Sequence, residues 1–409
     1  MAVSTAKKAG IAGAAVGVIA AGAAAGFAIE RATIGRAVRR LAEPRRLAEP
    51  YGTLRGKPLT VRADDGVGLY VEVDGPQLFS GGAGWARRRG PRAAAGPTLV
   101  FCHGYALHQD TWHYQRAEFA ATNRCVFWDQ RGHGRSQRGT SASHTIDQIG
   151  RDLYTVLEAV CPDGDVVLIG HSMGGMTIMA LAAEHPELFG GPEGGEHARV
   201  RGVVLCSTTD GHWNEMTLGL PARAAQLFQR TAPGVFALLG RGHTLVDRTR
   251  RAGTDLAQLL TRRYAFASDV PPALVRFTDE MLSSTPMDVI ADFFPTFSAH
   301  NKATALPTLG RVPVEIIVGD HDLLTPAFHS ERMAAEIDAA APDDAHHTGV
   351  EIVPAGGHVL PLEHPDAVDG AIRRVLARLD TASPDAAGTD VAGPDAPGPD
   401  VAGPGTSSH

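Results

Sequence analysis

Six short apolar runs limit what this chain can fold into: residues 98–102, 125–128, 166–170, 200–207, 314–319 and 350–354. They are rich in β-branched residues and nearly continuous in apolarity, as strands covered on both faces must be. Helical patterns lie between several of them. Ile146, Ile149, Leu153, Val156, Leu157 and Val160 recur every three or four residues. Residues 176–185 and 334–341 also read as helix, and Val368, Ile372, Val375 and Leu379 stripe a last one. Repeated strand–helix alternation predicts a mostly parallel central sheet with helices on both faces. Ahead of it, residues 59–63 and 68–74 flank Asp64-Asp65-Gly66 and predict a β-hairpin. In an open parallel sheet, sites form at the carboxyl ends of the strands.

Residues 210–310 interrupt this rhythm. Helical patterns occur at 221–229, 254–264, 272–281 and 287–294, with no clear strand. A helical insertion between two strands would form a cap, or lid, over the strand ends. The chain therefore divides into an N-terminal segment and basic linker (1–50), a first part of the core (51–209), the cap (210–310), a second part of the core (311–380) and a tail (381–409).

Composition excludes several classes. Apolar residues at 44% and charged residues at 20% exclude global disorder. A formal charge of −7 excludes a global basic field, so no nucleic-acid partner is expected. Four cysteines without a Cys-x-x-Cys pair exclude a disulfide scaffold. No cluster has zinc spacing, and His346-His347 reads as a polar loop, so neither metal nor cofactor is expected.

The chain's ends differ in charge. Residues 1–50 hold eight Lys/Arg and three Glu, whereas 381–409 hold four Asp and no Lys or Arg. Residues 9–29 form an uncharged run between Lys7-Lys8 and Glu30-Arg31. As a helix it would rise about 31 Å, enough to cross a bilayer core. This run predicts membrane association through a single N-terminal segment. The alternatives are a cytoplasmic protein, or one secreted after signal cleavage. Next comes a tandem RRLAEP hexamer at 39–50, read as a spacer. Residues 81–97 read as a Gly-, Arg- and Pro-rich loop, and the tail, which repeats DVAGP, as disordered.

The chemistry points to residues 166–175, VVLIGHSMGG: a buried strand, then Gly-x-Ser-x-Gly, then a helix. Small residues must flank the serine because the chain turns sharply there, presenting Ser172 Oγ beside a helix N-terminus. A serine hydroxyl needs a general base, itself oriented by a carboxylate. Residues 314–326, VEIIVGDHDLLTP, and 353–365, VPAGGHVLPLEHP, supply carboxylates and His358 in Ser…Asp…His order. One oxyanion donor should be the N–H of Met173, just after the serine.

Together with His103-Gly104-Tyr105 and residues 129–136, DQRGHGRS, these motifs resemble the α/β-hydrolase family over about residues 55–380. The subgroup is that of capped esterases, lipases and cofactor-free haloperoxidase-like proteins. The resemblance implies the α/β-hydrolase fold, Ser172 as nucleophile, His358 as base, Asp322 as its orienter and Tyr105 N–H as second oxyanion donor. Asp320 and Asp210 are the rival carboxylates. Asp322 is preferred because the family uses the aspartate three after the strand-end glycine. His103, His133 and His171 read as loop-holding residues. A serine in the elbow excludes the Asp-nucleophile chemistry of dehalogenase and epoxide hydrolase relatives. The expected substrate is a small-molecule carboxylic ester with an apolar acyl group, such as a lipid ester. A thioester, amide, C–C bond or perhydrolase substrate is the alternative on the same triad, and a non-catalytic membrane-tethered binding protein is the other class.

Overall fold

The computed structural model describes residues 51–75, 96–190, 195, 197–241, 255–340 and 347–381. Eight strands form one sheet: β1 (Lys57–Arg62), β2 (Gly68–Asp74), β3 (Thr98–Cys102), β4 (Cys125–Trp128), β5 (Val166–His171), β6 (Val200–Cys206), β7 (Val314–Gly319) and β8 (Gly349–Val353). Their order is β1-β2-β4-β3-β5-β6-β7-β8. The β1–β2 hairpin is antiparallel and joins β4 antiparallel, while every pairing from β4 to β8 is parallel. This is the mostly parallel α/β-hydrolase sheet expected from the alternation.

Strand side chains alternate between two cores, as a period of two requires. Val100, Val126, Trp128, Leu168, Val203 and Ile316 face one core. There they meet α2 (Ile146–Val160), α3 (Met173–Glu184) and α9 (Ala327–Ala340). Phe101, Phe127, Ile169, Val204 and Ile317 face the other. That side is covered by α1 (His113–Phe119) and α11 (Pro365–Thr381). Burial on both faces is the physical reason the runs of β3 to β7 carry almost no polar residue; the last run differs, because β8 is an edge strand and leaves Val350 and Ile352 exposed. At the start of α2 the Thr145 hydroxyl accepts from Gln148 N–H at 3.1 Å, which satisfies one of the free donors of the first turn.

Residues 210–310 contribute α4 (Ala222–Arg241), α5 (Asp255–Ala265), α6 (Pro272–Ser284) and α7 (Met287–Ala299), and no strand among the described residues. They touch the loops at the strand ends. Tyr105 Oη donates to Ile290 O at 2.5 Å, and Thr285 Oγ1 donates to Ala106 O at 3.0 Å. The apolar pattern of α7 stops at residue 294, yet the helix continues through Pro295 to Ala299. Proline removes one helical hydrogen bond. Burial of Val289, Phe293 and Phe294 against the core offsets that loss. A short α8 (Leu306–Leu309) leads back to the sheet, and α10 (Leu360–Glu363) precedes α11.

The membrane association expected through residues 9–29 is corrected. Among the described residues no helix is long and apolar enough to cross a membrane. Residues 9–29 themselves lie outside the described residues, as do the linker, most of the 81–97 loop, residues 341–346 and nearly all of the tail. The run owes its length to Ala and Gly, which contribute little insertion energy.

Candidate active site

Strand β5 delivers Ser172 to the turn before α3. The serine has φ 52° and ψ −117°, a backbone conformation that costs roughly 1–3 kcal/mol. Hydrogen bonds hold it there. Ser172 N donates to Cys206 O at 2.9 Å, and Thr208 Oγ1 donates to Ser172 O at 2.7 Å. Two glycines around the serine, one in the elbow and one after β3, are required by contact. A Cβ on Gly174 would lie 2.0 Å from Cys102 O, and one on Gly104 would lie 2.7 Å from His171 Nδ1.

The loops after β7 and β8 bring their side chains to the same place. Ser172 Oγ lies 2.9 Å from His358 Nε2, and His358 Nδ1 lies 2.9 and 3.1 Å from the two oxygens of Asp322. Ser172 is partly exposed, while His358 and Asp322 are buried. Asp322 Oδ1 also accepts from Leu324 N at 2.8 Å and Thr325 N at 2.9 Å, and Oδ2 accepts from Thr325 Oγ1 at 2.8 Å. Burial pushes the carboxyl up, but His358 and the Thr325 donors outweigh it and hold Asp322 below the usual range. It is therefore an ionised acceptor facing the imidazole.

The two rival carboxylates lie elsewhere. Asp320 pairs with the exposed His321 at 2.5 Å. Asp210 is buried at the end of β6 and turns to Arg332 at 3.3 Å. Met173 is the first residue of α3, so its N–H has no acceptor within the helix. Tyr105 follows Gly104 at the end of β3, where Gly104 packs beside Ser172 Cβ. The Tyr105 ring lies 4.8 Å from Phe297, edge to face. Trp213 extends this aromatic cluster at 5.4 Å from Phe294 and 6.5 Å from Phe297.

Three neighbours of this line were not singled out in sequence for what they touch here. Thr208 lies in a polar loop stretch and Thr325 follows two leucines, and neither carries a pattern of its own. His171 was read as loop-holding, and its contact is specific: Nε2 lies 2.9 Å from the His358 carbonyl oxygen. Burial first, and then the neighbouring His358, push its pKa down to about 3. The neutral ring therefore carries its proton on Nε2 and donates to that carbonyl. His103 and His133 also hold loops. His103 Nε2 accepts from Gln130 N at 2.9 Å, and His133 Nδ1 lies 2.9 Å from Arg131 O.

Buried imidazoles predict acid sensitivity. Burial is the main cause that lowers the pKa of His103, His108, His113, His133, His144, His171, His300 and His329, the last two and His133 to about 4. Unfolded histidines titrate near 6.5. Between that value and about 4 the unfolded chain binds more protons, so stability rises with pH, by up to about 1.4 kcal/mol per unit for each such group. Asp74, Asp129 and Asp152, raised by burial, act the other way but are fewer. The melting temperature followed by circular dichroism is expected to fall steadily from pH 7.5 to 5. Equal values at both pH would contradict this.

The chain is similar to known proteins in sequence and in fold. The chain is 40% identical over 118 residues to a non-heme chloroperoxidase from Streptomyces lividans, covering 29% of this chain and 39% of that protein. It is 33% identical over 93 residues to epoxide hydrolase 1 from Caenorhabditis elegans, covering 22% and 23%. The chain thus spans less than half the length of these curated relatives. A solved thermophilic esterase from Thermogutta terrifontis superimposes with a TM-score of 0.56 at 22% identity, over 79% of this chain and 98% of that one. The model of the alpha/beta hydrolase fold matches residues 97–365. That match runs from β3 to β8 and across the helical insertion between β6 and β7, and the chain therefore belongs to the alpha/beta hydrolase fold family.

Proposed function

We propose that the protein hydrolyses carboxylic esters with an apolar acyl group through an acyl-enzyme. The observation that carries this reading is the hydrogen-bonded line from Ser172 Oγ through His358 to Asp322, with each step at 2.9 Å. His358 Nε2 takes the serine proton as Oγ attacks the ester carbonyl. The Asp322 carboxylate stabilises the imidazolium that forms. The N–H groups of Tyr105 and Met173 receive the developing oxyanion, where preorganised donors at a helix N-terminus are most effective. His358 returns the proton to the departing alcohol. Water, deprotonated by the same imidazole, then attacks the acyl carbon, and the bond to Ser172 Oγ breaks as the imidazolium returns its proton to that oxygen, releasing the acid. An apolar acyl group is supported by the aromatic rings Phe297, Trp213 and Phe294 of the cap, which reach the site through their contact with Tyr105.

A series of p-nitrophenyl esters tests the reading. Each added methylene buried against those rings contributes about 0.8 kcal/mol. On that scale kcat/KM rises about fourfold per carbon from acetate until the pocket is filled. A flat series would remove the apolar-acyl clause. Labelling of Ser172 by a fluorophosphonate without ester turnover would transfer the triad to thioesters, amides or C–C bonds. Absence of labelling would overturn the hydrolase reading itself.

A further inference from the structure

We infer that Glu363 is a positioning residue for His358, its carboxylate joining the histidine's loop to the cap so that the seating of the cap sets the placement of the base. The inference rests on the ester-hydrolase reading. Glu363 ends α10, five residues after His358. Its Oε2 accepts from Gly357 N at 2.5 Å, immediately before the histidine. Its Oε1 accepts from Ala267 N at 2.7 Å, Ser268 N at 2.6 Å and Ser268 Oγ at 2.7 Å. One oxygen thus holds the base loop and the other holds the cap just after α5.

Contacts around it are equally direct. Val359 N donates to Ala265 O at 2.9 Å. A Cβ on Gly357 would lie 2.8 Å from Ala265 O, Ala267 N and Phe266 Cα, so the two backbones press together without an intervening side chain. Phe266 is buried beside Val359 and Leu362 in one apolar cluster with Leu107 and Leu274. The main chain of His358 is therefore held at three successive points: Gly357 N by Glu363, His358 O by His171 and Val359 N by Ala265. One of these ends directly in the cap, and Glu363 links a second to it. A carboxylate suits the position because all four of its partners are donors. Glutamine would set an amide NH2 against either Gly357 N–H or the cap's N–H groups, donor against donor. Displacement of the base by about 1 Å costs about 100-fold in rate.

The test uses the full chain with Glu363→Gln and, as a milder variant, Ser268→Ala. Glu363→Gln is expected to lower kcat on p-nitrophenyl butyrate by about 100-fold with KM changed less than about threefold, the pattern of a misplaced base rather than a lost binding contact. Hydrogen–deuterium exchange is expected to rise together at Gly357 and at Ala267–Ser268, while core strands β3 and β5 stay protected. Ser268→Ala, which removes one of the four donors, is expected to raise exchange at Gly357 as well and to lower kcat about twofold to fivefold. A Glu363→Gln kcat within twofold of the parent, or exchange in Ser268→Ala that rises at 268 and not at 357, would overturn the inference. Should Glu363→Gln not fold, the Ser268→Ala exchange still decides. If the parent neither labels nor turns over esters, the hydrolase reading fails and the catalytic clause with it. Exchange, which needs no activity, then reports separately on the link between loop and cap.

Discussion

Ser172→Ala is expected to lower kcat/KM on a p-nitrophenyl ester by about 10⁵-fold, with a melting temperature close to that of the parent. Removing the nucleophile of a serine triad costs of this order, since base and orienter have nothing to act on without it. The oxyanion donors and binding contacts remain, so activity should not fall to the uncatalysed rate. The fold has little reason to respond. Ser172 Oγ contacts His358, while the strained backbone is held through the serine's N–H and C=O, which alanine keeps. Steady-state kinetics and fluorophosphonate labelling check both statements. Retention of more than about 1% of activity would remove Ser172 from the nucleophile's place.

Gly174→Ala is expected to have the largest effect on stability, above about 3 kcal/mol, and to abolish soluble expression in the extreme case. The added Cβ would meet Cys102 O at 2.0 Å and Cys102 C at 2.5 Å. Both are main-chain atoms of β3, a central strand hydrogen-bonded to β4 on one side and β5 on the other. The strand cannot retreat without losing two ladders, and α3 cannot retreat without carrying Ser172 away. Gly234→Ala is the internal control. That glycine lies exposed in α4, and a Cβ there meets nothing within 4 Å. It should stabilise the helix by up to about 1 kcal/mol. Urea unfolding of both variants reads the contrast. A Gly174→Ala midpoint equal to that of the parent would contradict the close packing of elbow on strand.

How much was legible beforehand follows from the range of each interaction. Strands β3, β4 and β7 were readable to the residue, because burial on both faces leaves an uninterrupted apolar run. α1 (His113–Phe119) carries no helical signature in the sequence. Its buried residues include His113, Gln115 and Arg116, so no apolar stripe marks it. Arg116 is buried because Glu72 and Gln109 meet it, partners 44 and 7 residues away. In α9 only the half from residue 334 was readable, since His329 and Ser330 are buried polar residues.

The site divides in the same way. Ser172 and His358 stand out because each lies in a motif with small neighbours, although the backbones that demand those glycines, Cys102 for Gly174 and Ala265 to Ala267 for Gly357, lie far away in sequence. The choice among Asp210, Asp320 and Asp322 depended on family pattern, because a carboxylate's partner is set by where strands end in space. The structure turns Asp210 to Arg332 and Asp320 to His321, and it sets Asp322 against His358. Glu363 carries no sequence signal for its role, since its partners at 267 and 268 are 96 and 95 residues away.

By itself, then, the sequence determined the alternation, the elbow and the order of the site's motifs, because apolar periodicity and a glycine-flanked serine are written in stretches of a few residues, even where the contact that demands a glycine, as Cys102 does at Gly174, is tertiary. Only the tertiary structure decided which carboxylate faces the histidine, what holds that histidine's backbone and how the cap meets it. These depend on hydrogen bonds between segments tens to hundreds of residues apart, and such bonds acquire direction only once the sheet has set the segments side by side.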